Sequence, residues 1–321
     1  MQFVMVDNSE PEELLVIRKD IYFEEVITNY PHFSQPNQIE QDFKPLREVL
    51  AKLEDVEALS NMSVALFMLK KFEEAMSICD QALSINSQSI QAWSTKAFLL
   101  TLLGQHEEAL TALNQALSLD SQNAVAWSNK GTKLVILNRL DEALTVFDNA
   151  LSLDPQSVIA WFNKGMVLEE LSRHEEALVA LNQALFFNPN NADVWFRKGN
   201  ALVSLNRDEE ALAAFDQALS LYPNNTYPNP NAIYAWTNKG GRLIKLDRNE
   251  EALACLDHAL SLNPNNITAW NNKGAALEAL GRYEEAITAF DRAIELDPKC
   301  IGAWNNKGAA LGALGRYEEV L

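Results

Sequence analysis

The chain has 321 residues, 26 basic and 44 acidic, for a formal charge of -18 and a pI near 4.6. That balance would repel a phosphate backbone unless a local basic stripe overrode it; no such stripe is present, so nucleic acid is not an expected partner. Hydrophobic residues make up 48%, enough to bury a core. No apolar run approaches 18 residues, and the start "MQFVMVDNSEPEE" lacks a basic leader followed by an apolar stretch, so neither a membrane span nor a signal peptide is expected. Cys79, Cys255 and Cys300 are odd in number and share no ligand-like spacing, which argues against a disulfide framework and a zinc site. A cytoplasmic chain with no metal and no cofactor is the expectation.

Residues 1–55 carry helix signals: Ser9 with Glu12 as a capping-box pair, and a stripe of Phe43, Leu46, Leu50 and Leu53. They read as two helices capping an array, or as the remnant of another N-terminal function. From residue 56 a period takes over. All seven tryptophans, Trp93, Trp127, Trp161, Trp195, Trp236, Trp270 and Trp304, fall in one AW-x-[NR]-KG-like pattern, spaced by 34 except for one gap of 41. A period of this length marks stacked repeats. With tryptophan at the fourth place, windows open at Val56, Ile90, Ala124, Val158, Ala192, Ile233, Ile267 and Ile301, the last cut short.

Within a window, Trp127, Gly131 and Leu134 stand at the i, i+4, i+7 spacing of one helical face. A residue that tolerates the left-handed conformation follows, such as Gly104, Asn138, Asn206 or Gly281. Next comes an acidic pair, as in Glu175-Glu176 and Glu284-Glu285, suited to the positive end of a helix dipole. Apolar places such as Ala286, Phe290 and Ala293 then mark a second helix, which stops near Pro155, Pro189, Pro223, Pro264 or Pro298. Each window is therefore a helical hairpin, with glycine where the two helices approach closely. Lysine at the seventh place (Lys130, Lys164, Lys273) is expected to pack its stem and hold its amine in solvent.

The order Trp, Gly, Leu, Ala, Phe or Leu, Ala, Pro in "AWNNKGAALEALGRYEEAITAFDRAIELDP" (269–298) resembles the tetratricopeptide repeat family over residues 56–321. The resemblance implies an all-α, right-handed α-solenoid whose first helices line a concave groove. Members of such families scaffold protein interactions, so a non-enzymatic, protein- or peptide-binding chain is implied.

The sixth place reads Thr95, Asn129, Asn163, Arg197, Asn238, Asn272 and Asn306. Asparagine is a mediocre helix former, so its recurrence there is not a propensity effect. Its amide can pair with both polar groups of a peptide backbone. First helices about 8 to 10 Å apart, set against an extended chain rising about 3.3 Å per residue, would present one amide to every third peptide residue. This ladder is similar to the inner face of the O-linked N-acetylglucosamine transferase superhelix. Phe162, Met166, Phe196 and Tyr234 are candidate walls for peptide side chains, and Arg197 beside Asn200 is a candidate selector of an acidic residue. The alternative is that duplicated repeats simply kept solvated asparagines. A carboxylate clamp is disfavoured, since the fifth place holds Ser94, Ser128, Phe162, Phe196, Thr237, Asn271 and Asn305 rather than lysine.

No catalytic constellation appears: His106 and His174 recur at one repeat place, while His32 and His258 are isolated. The insertion at about 226–232, within "YPNNTYPNPNAIY", reads as a surface loop with Tyr227 and Tyr234 as possible partner contacts. "GRYEEVL" stops early in a second helix, which points to a fragment or to end-to-end self-association through the last repeat. The second functional reading is the substrate-recruiting region of a glycosyltransferase-like enzyme.

Overall fold

The computed structural model describes residues 55–222, 229–316 and 318. The expected N-terminal cap, Tyr227 and most of "GRYEEVL" lie outside the described residues. The chain divides into two compact units, Met1–Leu153 and Asp154–Leu321. The first holds α1 (Val56–Met68), α2 (Phe72–Ile85), α3 (Ile90–Leu102), α4 (His106–Leu119), α5 (Ala124–Ile136) and α6 (Leu140–Leu153). The second holds α7 (Val158–Glu170), α8 (His174–Phe187), α9 (Ala192–Ser204), α10 (Asp208–Leu221), α11 (Pro230–Lys245), α12 (Asn249–Leu262), α13 (Ile267–Ala279), α14 (Tyr283–Leu296) and α15 (Ile301–Ala313). Odd-numbered helices are the first helices of the windows, even-numbered ones the second. Within each unit, helical hairpins stack one on the next.

The two helix classes start by different means. Asp55, Ser89, Asn123, Ser157, Asn191, Asn229 and Asn266 cap first helices, each side chain accepting from a backbone N–H two or three residues on. The second helices α2, α4, α8, α10, α12 and α14 lack such a cap and carry carboxylates in the first turn, against the positive end of the dipole. Between the helices a residue turns left-handed: Gly104, Asn138, Asn206 and Gly281 as expected, and also Lys70, Ser172, Asp247 and Gly315. The turn is closed by bonds such as Gly104 N–H to the Thr101 carbonyl at 3.1 Å and Gln105 N–H to the Leu100 carbonyl at 2.9 Å.

Six tryptophans bind the preceding turn. Trp93, Trp127, Trp161, Trp195, Trp270 and Trp304 donate from Nε1 to the carbonyl six residues upstream, at 2.8 to 3.1 Å. Trp236 follows the insertion, where that upstream residue is the helical Pro230; its ring instead lies 4.6 Å from that of His258.

Two expectations are corrected. The insertion was expected to remain a loop to 232, but α11 begins at Pro230: proline suits the first helical position and Asn229 caps it. The early start is held by Asp193, whose Oδ1 accepts from Tyr222 Oη at 2.8 Å and Asn231 Nδ2 at 3.0 Å. The seventh-place lysines do not simply hold their amines in solvent. All seven, Lys96, Lys130, Lys164, Lys198, Lys239, Lys273 and Lys307, set the amine 4.8 to 5.7 Å from the ring centroid of their own tryptophan. Four also pair across the repeat joint: Lys96–Asp80, Lys239–Asp216, Lys273–Asp257 and Lys307–Asp291, at 2.5 to 2.7 Å. A cation one turn past an indole reaches its face, and the previous second helix supplies the carboxylate.

Candidate functional site

Where a sixth-place side chain lies depends on the adjoining first helix. Asn129, Asn238, Asn272 and Asn306 are half-buried, whereas Asn163 is 9% exposed. In the second unit the amides pair between neighbouring first helices. Asn238 Nδ2 donates to Asn200 Oδ1 at 2.9 Å, and Asn306 Nδ2 donates to Asn271 Oδ1 at 3.2 Å. Each such bond uses one of two N–H groups on the donor and the carbonyl of the acceptor, leaving further capacity on both amides. In the first unit Gln91 Nε2 donates to Asn61 Oδ1 at 3.4 Å. Asn61 occupies the sixth place of the first window, a rung the sequence reading passed over; counting that window by the same rule finds it.

The aromatic walls are corrected. Phe196 is 6% exposed and belongs to the core of the second unit, its ring 6.2 Å from that of Phe215. Phe162 is half-buried and packs against the same core. The fifth place faces the following repeat: Ser128 and Thr237 are buried there too, and Thr237 Oγ1 accepts from Asn266 Nδ2 at 3.0 Å. A fifth-place phenylalanine therefore extends the core. Met166 remains half-buried, while Ile159 and Tyr234, at the second place, are exposed on the same helices.

Arg197 is half-buried on α9, and its positive charge acts on Glu169 of α7. Burial pushes the Glu169 carboxyl up to about 7 against that opposing pull, and its Oε2 is buried without a hydrogen-bond partner. Part of the Arg197 charge is thus directed at the protein's own carboxyl. Around the second-helix starts, Arg139, Arg173, Arg207, Arg248 and Arg282 bind Glu142, Glu176, Glu210, Glu251 and Glu285 bidentately, holding those carboxyls below their usual range. The acidic pairs are thus helix-start and Arg-binding groups.

Asp208 is the other built ionic site: its side chain is 10% exposed and takes Lys245 Nζ at 2.7 Å and Arg242 Nη1 at 3.5 Å. His106, His174 and Asn249 share its place at the start of a second helix, each with one buried side-chain atom lacking a hydrogen-bond partner. Among the described residues no group of three or more His, Cys, Asp or Glu could hold a metal ion. No helix of the described residues is long and apolar enough to cross a membrane.

Tetratricopeptide repeat models match residues 66–130, 129–187, 192–225, 240–281 and 267–300, which together take in most of the chain. The chain belongs to the tetratricopeptide repeat family. Among solved structures, the crystal structure of YrrB, described as a TPR protein with an unusual peptide-binding site, is 26% identical. It covers 61% of this chain and 97% of its own, with a TM-score of 0.54. PilF of Pseudomonas aeruginosa is 20% identical, with a TM-score of 0.57 over 67% of this chain and 94% of that one. A tetratricopeptide repeat protein from Parabacteroides merdae is 15% identical, with a TM-score of 0.56 over 80% and 98%. The last two establish the fold alone. No curated protein sequence matches the chain.

Proposed function

We propose that this protein is a non-catalytic, cytoplasmic scaffold that binds an extended segment of a partner protein along the first helices of its repeats. The observation that carries the reading is the recurrence of half-buried amides at one place, Asn129, Asn238, Asn272 and Asn306, each on the first helix of its hairpin. Where such amides bond one another they keep donors and acceptors that a peptide backbone can use. Asn163, Asn200 and Arg197 adjoin this row, with Met166, Ile159 and Tyr234 as apolar neighbours. Phe196 supports the row from the core and Phe162 from its edge. A repeat-family membership and the likeness to YrrB, a protein described as having a peptide-binding site, support the same reading. Three free thiols, two of them buried, accord with a reducing compartment.

The test is selection of peptides from a random displayed library on the whole chain, followed by titration of the selected peptides. The quadruple variant Asn129→Ala, Asn238→Ala, Asn272→Ala and Asn306→Ala should keep its helical circular dichroism. It should lose about tenfold or more in affinity, at about 0.5 to 1.5 kcal/mol per lost hydrogen bond. Equal affinity would reject the amide row as the binding element.

A second reading rests on α15, where Ile301 is 73% and Trp304 50% exposed. Exposed apolar groups of this size favour self-association through the last repeat. Sedimentation over a concentration series checks it: a mass that rises in the parent and not in Ile301→Ser with Trp304→Ser supports association, and a constant monomer mass rejects it.

A further inference from the structure

The seventh-place lysines are not equivalent. Lys96, Lys239, Lys273 and Lys307 each meet an aspartate from the preceding second helix, at the twenty-fifth place of that window: Asp80, Asp216, Asp257 and Asp291. In the windows opening at Ile90 and Val158 that place is Asn114 and Asn182, within the near-identical segments "HEEALTALNQAL" and "HEEALVALNQAL". The seventh-place lysines of the windows that follow are Lys130 and Lys198. Among the described residues neither has a salt-bridge partner, and each amine sits over its own tryptophan, at 5.2 and 4.8 Å from the ring centroid.

The other charges nearby do not make the difference. Glu142 with Arg139 stands beside Lys130, and Glu210 with Arg207 beside Lys198, each pair joined bidentately and so nearly neutral as seen from the amine. Lys239 and Lys273 lie beside the equivalent pairs Glu251–Arg248 and Glu285–Arg282. What Lys130 and Lys198 lack is the aspartate. Partial burial holds both amines below the ordinary lysine range; Glu142 and Glu210 pull them back up in part, and Arg139 and Arg207 push them down again.

We propose that Lys130 and Lys198 are acylation sites, whose ε-amines take acyl groups from small activated donors, acyl phosphates or acyl thioesters. Both side chains are half-buried rather than enclosed, and the indole beneath fixes where the amine stands. The Nζ lone pair attacks the acyl carbon, an amide C–N bond forms, and the C–O bond to phosphate or C–S bond to thiolate breaks with its electron pair. The nitrogen loses a proton to solvent. No oxidant or reductant is needed. The product is neutral, so modification removes a cation from over the ring.

The test is exposure of the whole chain to limiting acetyl phosphate or, separately, acetyl-coenzyme A at neutral pH, with site-by-site occupancy read by peptide mass spectrometry over time. Lys130 and Lys198 should acetylate several-fold faster than Lys96, Lys239, Lys273 and Lys307, and faster than exposed Lys299. Asn114→Asp should slow Lys130 alone and Asn182→Asp should slow Lys198 alone. Asp257→Asn should speed Lys273 several-fold, a gain that loss of folding would not mimic at one site. Reaction with only one donor identifies the source. Equal rates at all seventh-place lysines, or rates at Lys130 and Lys198 that ignore these three exchanges, would overturn the proposal.

Discussion

A Cβ placed on Gly131 would lie 2.5 Å from Cε1 of Phe147, a ring that is fully buried between the two helices of its hairpin. The side chain at the twenty-fourth place can be large only because the eighth place is glycine. Gly199 stands in the same relation to Phe215, while Gly165 and Gly240 face the smaller Leu181 and Leu256, with the nearest approach 2.9 and 2.7 Å.

Gly131→Ala is therefore expected to destabilise. Helix propensity favours alanine by about 1 kcal/mol, but overpacking a filled core costs about 1 to 3 kcal/mol. Adding Phe147→Leu should recover part of the loss, so the two changes are non-additive. Urea unfolding of the parent, both single variants and the double variant measures the coupling; strict additivity would contradict the contact.

Glu169 predicts a pH dependence. Its carboxyl is raised from 4.5 to about 7 by burial, so between those values the folded chain holds a proton that the unfolded chain has released. Its contribution to stability is fully present below pH about 4.5 and is lost as pH rises through about 7. Glu169→Gln should unfold later than the parent at pH 8, by no more than about 3 kcal/mol, and should flatten the slope between pH 5 and 7. Arg197→Gln should act in the opposite sense at pH 8, since it removes the charge that favours the carboxylate. Urea titrations at both pH values decide it.

Asp208 should matter more than any exposed ion pair. Asp208→Ala removes the half-enclosed carboxylate that Lys245 and Arg242 share, leaving Lys245 with Asn206, and is expected to cost about 1 to 3 kcal/mol. Glu285→Ala, which breaks an exposed pair with Arg282, should change stability far less and lose its effect at high salt. Thermal melts at low and high salt compare them; equal costs would remove the distinction.

Asn266 works twice, accepting from Ala269 N–H at 3.0 Å as the cap of α13 and donating to Thr237 Oγ1 of the preceding repeat at 3.0 Å. Asn266→Ala should lose more than the usual cap value of about 1 kcal/mol, and Asn266→Asp should keep the cap while losing the donated bond. Ranking the three chains by midpoint denaturant concentration tests it.

The 34-residue period, the helix pairs and most turn positions were legible in the sequence because they are local. A cap bonds two or three residues ahead, a left-handed residue acts on its own turn, and glycine opposes a ring on the partner helix of its own hairpin. The candidate row of amides was legible for the same reason, since angular position on one helix follows from counting. What a side chain meets across a joint is not local. Only the tertiary structure decided that Phe196 joins the core, that Asn163 is covered, that Asn238 bonds Asn200, and that α11 begins at Pro230 under the hold of Asp193. The lysines show the same division. Their recurrence at the seventh place is written in the sequence, but the carboxylate that meets the amine comes from the preceding second helix. Pairing therefore depends on a residue 16 or 23 positions away that only packing brings near.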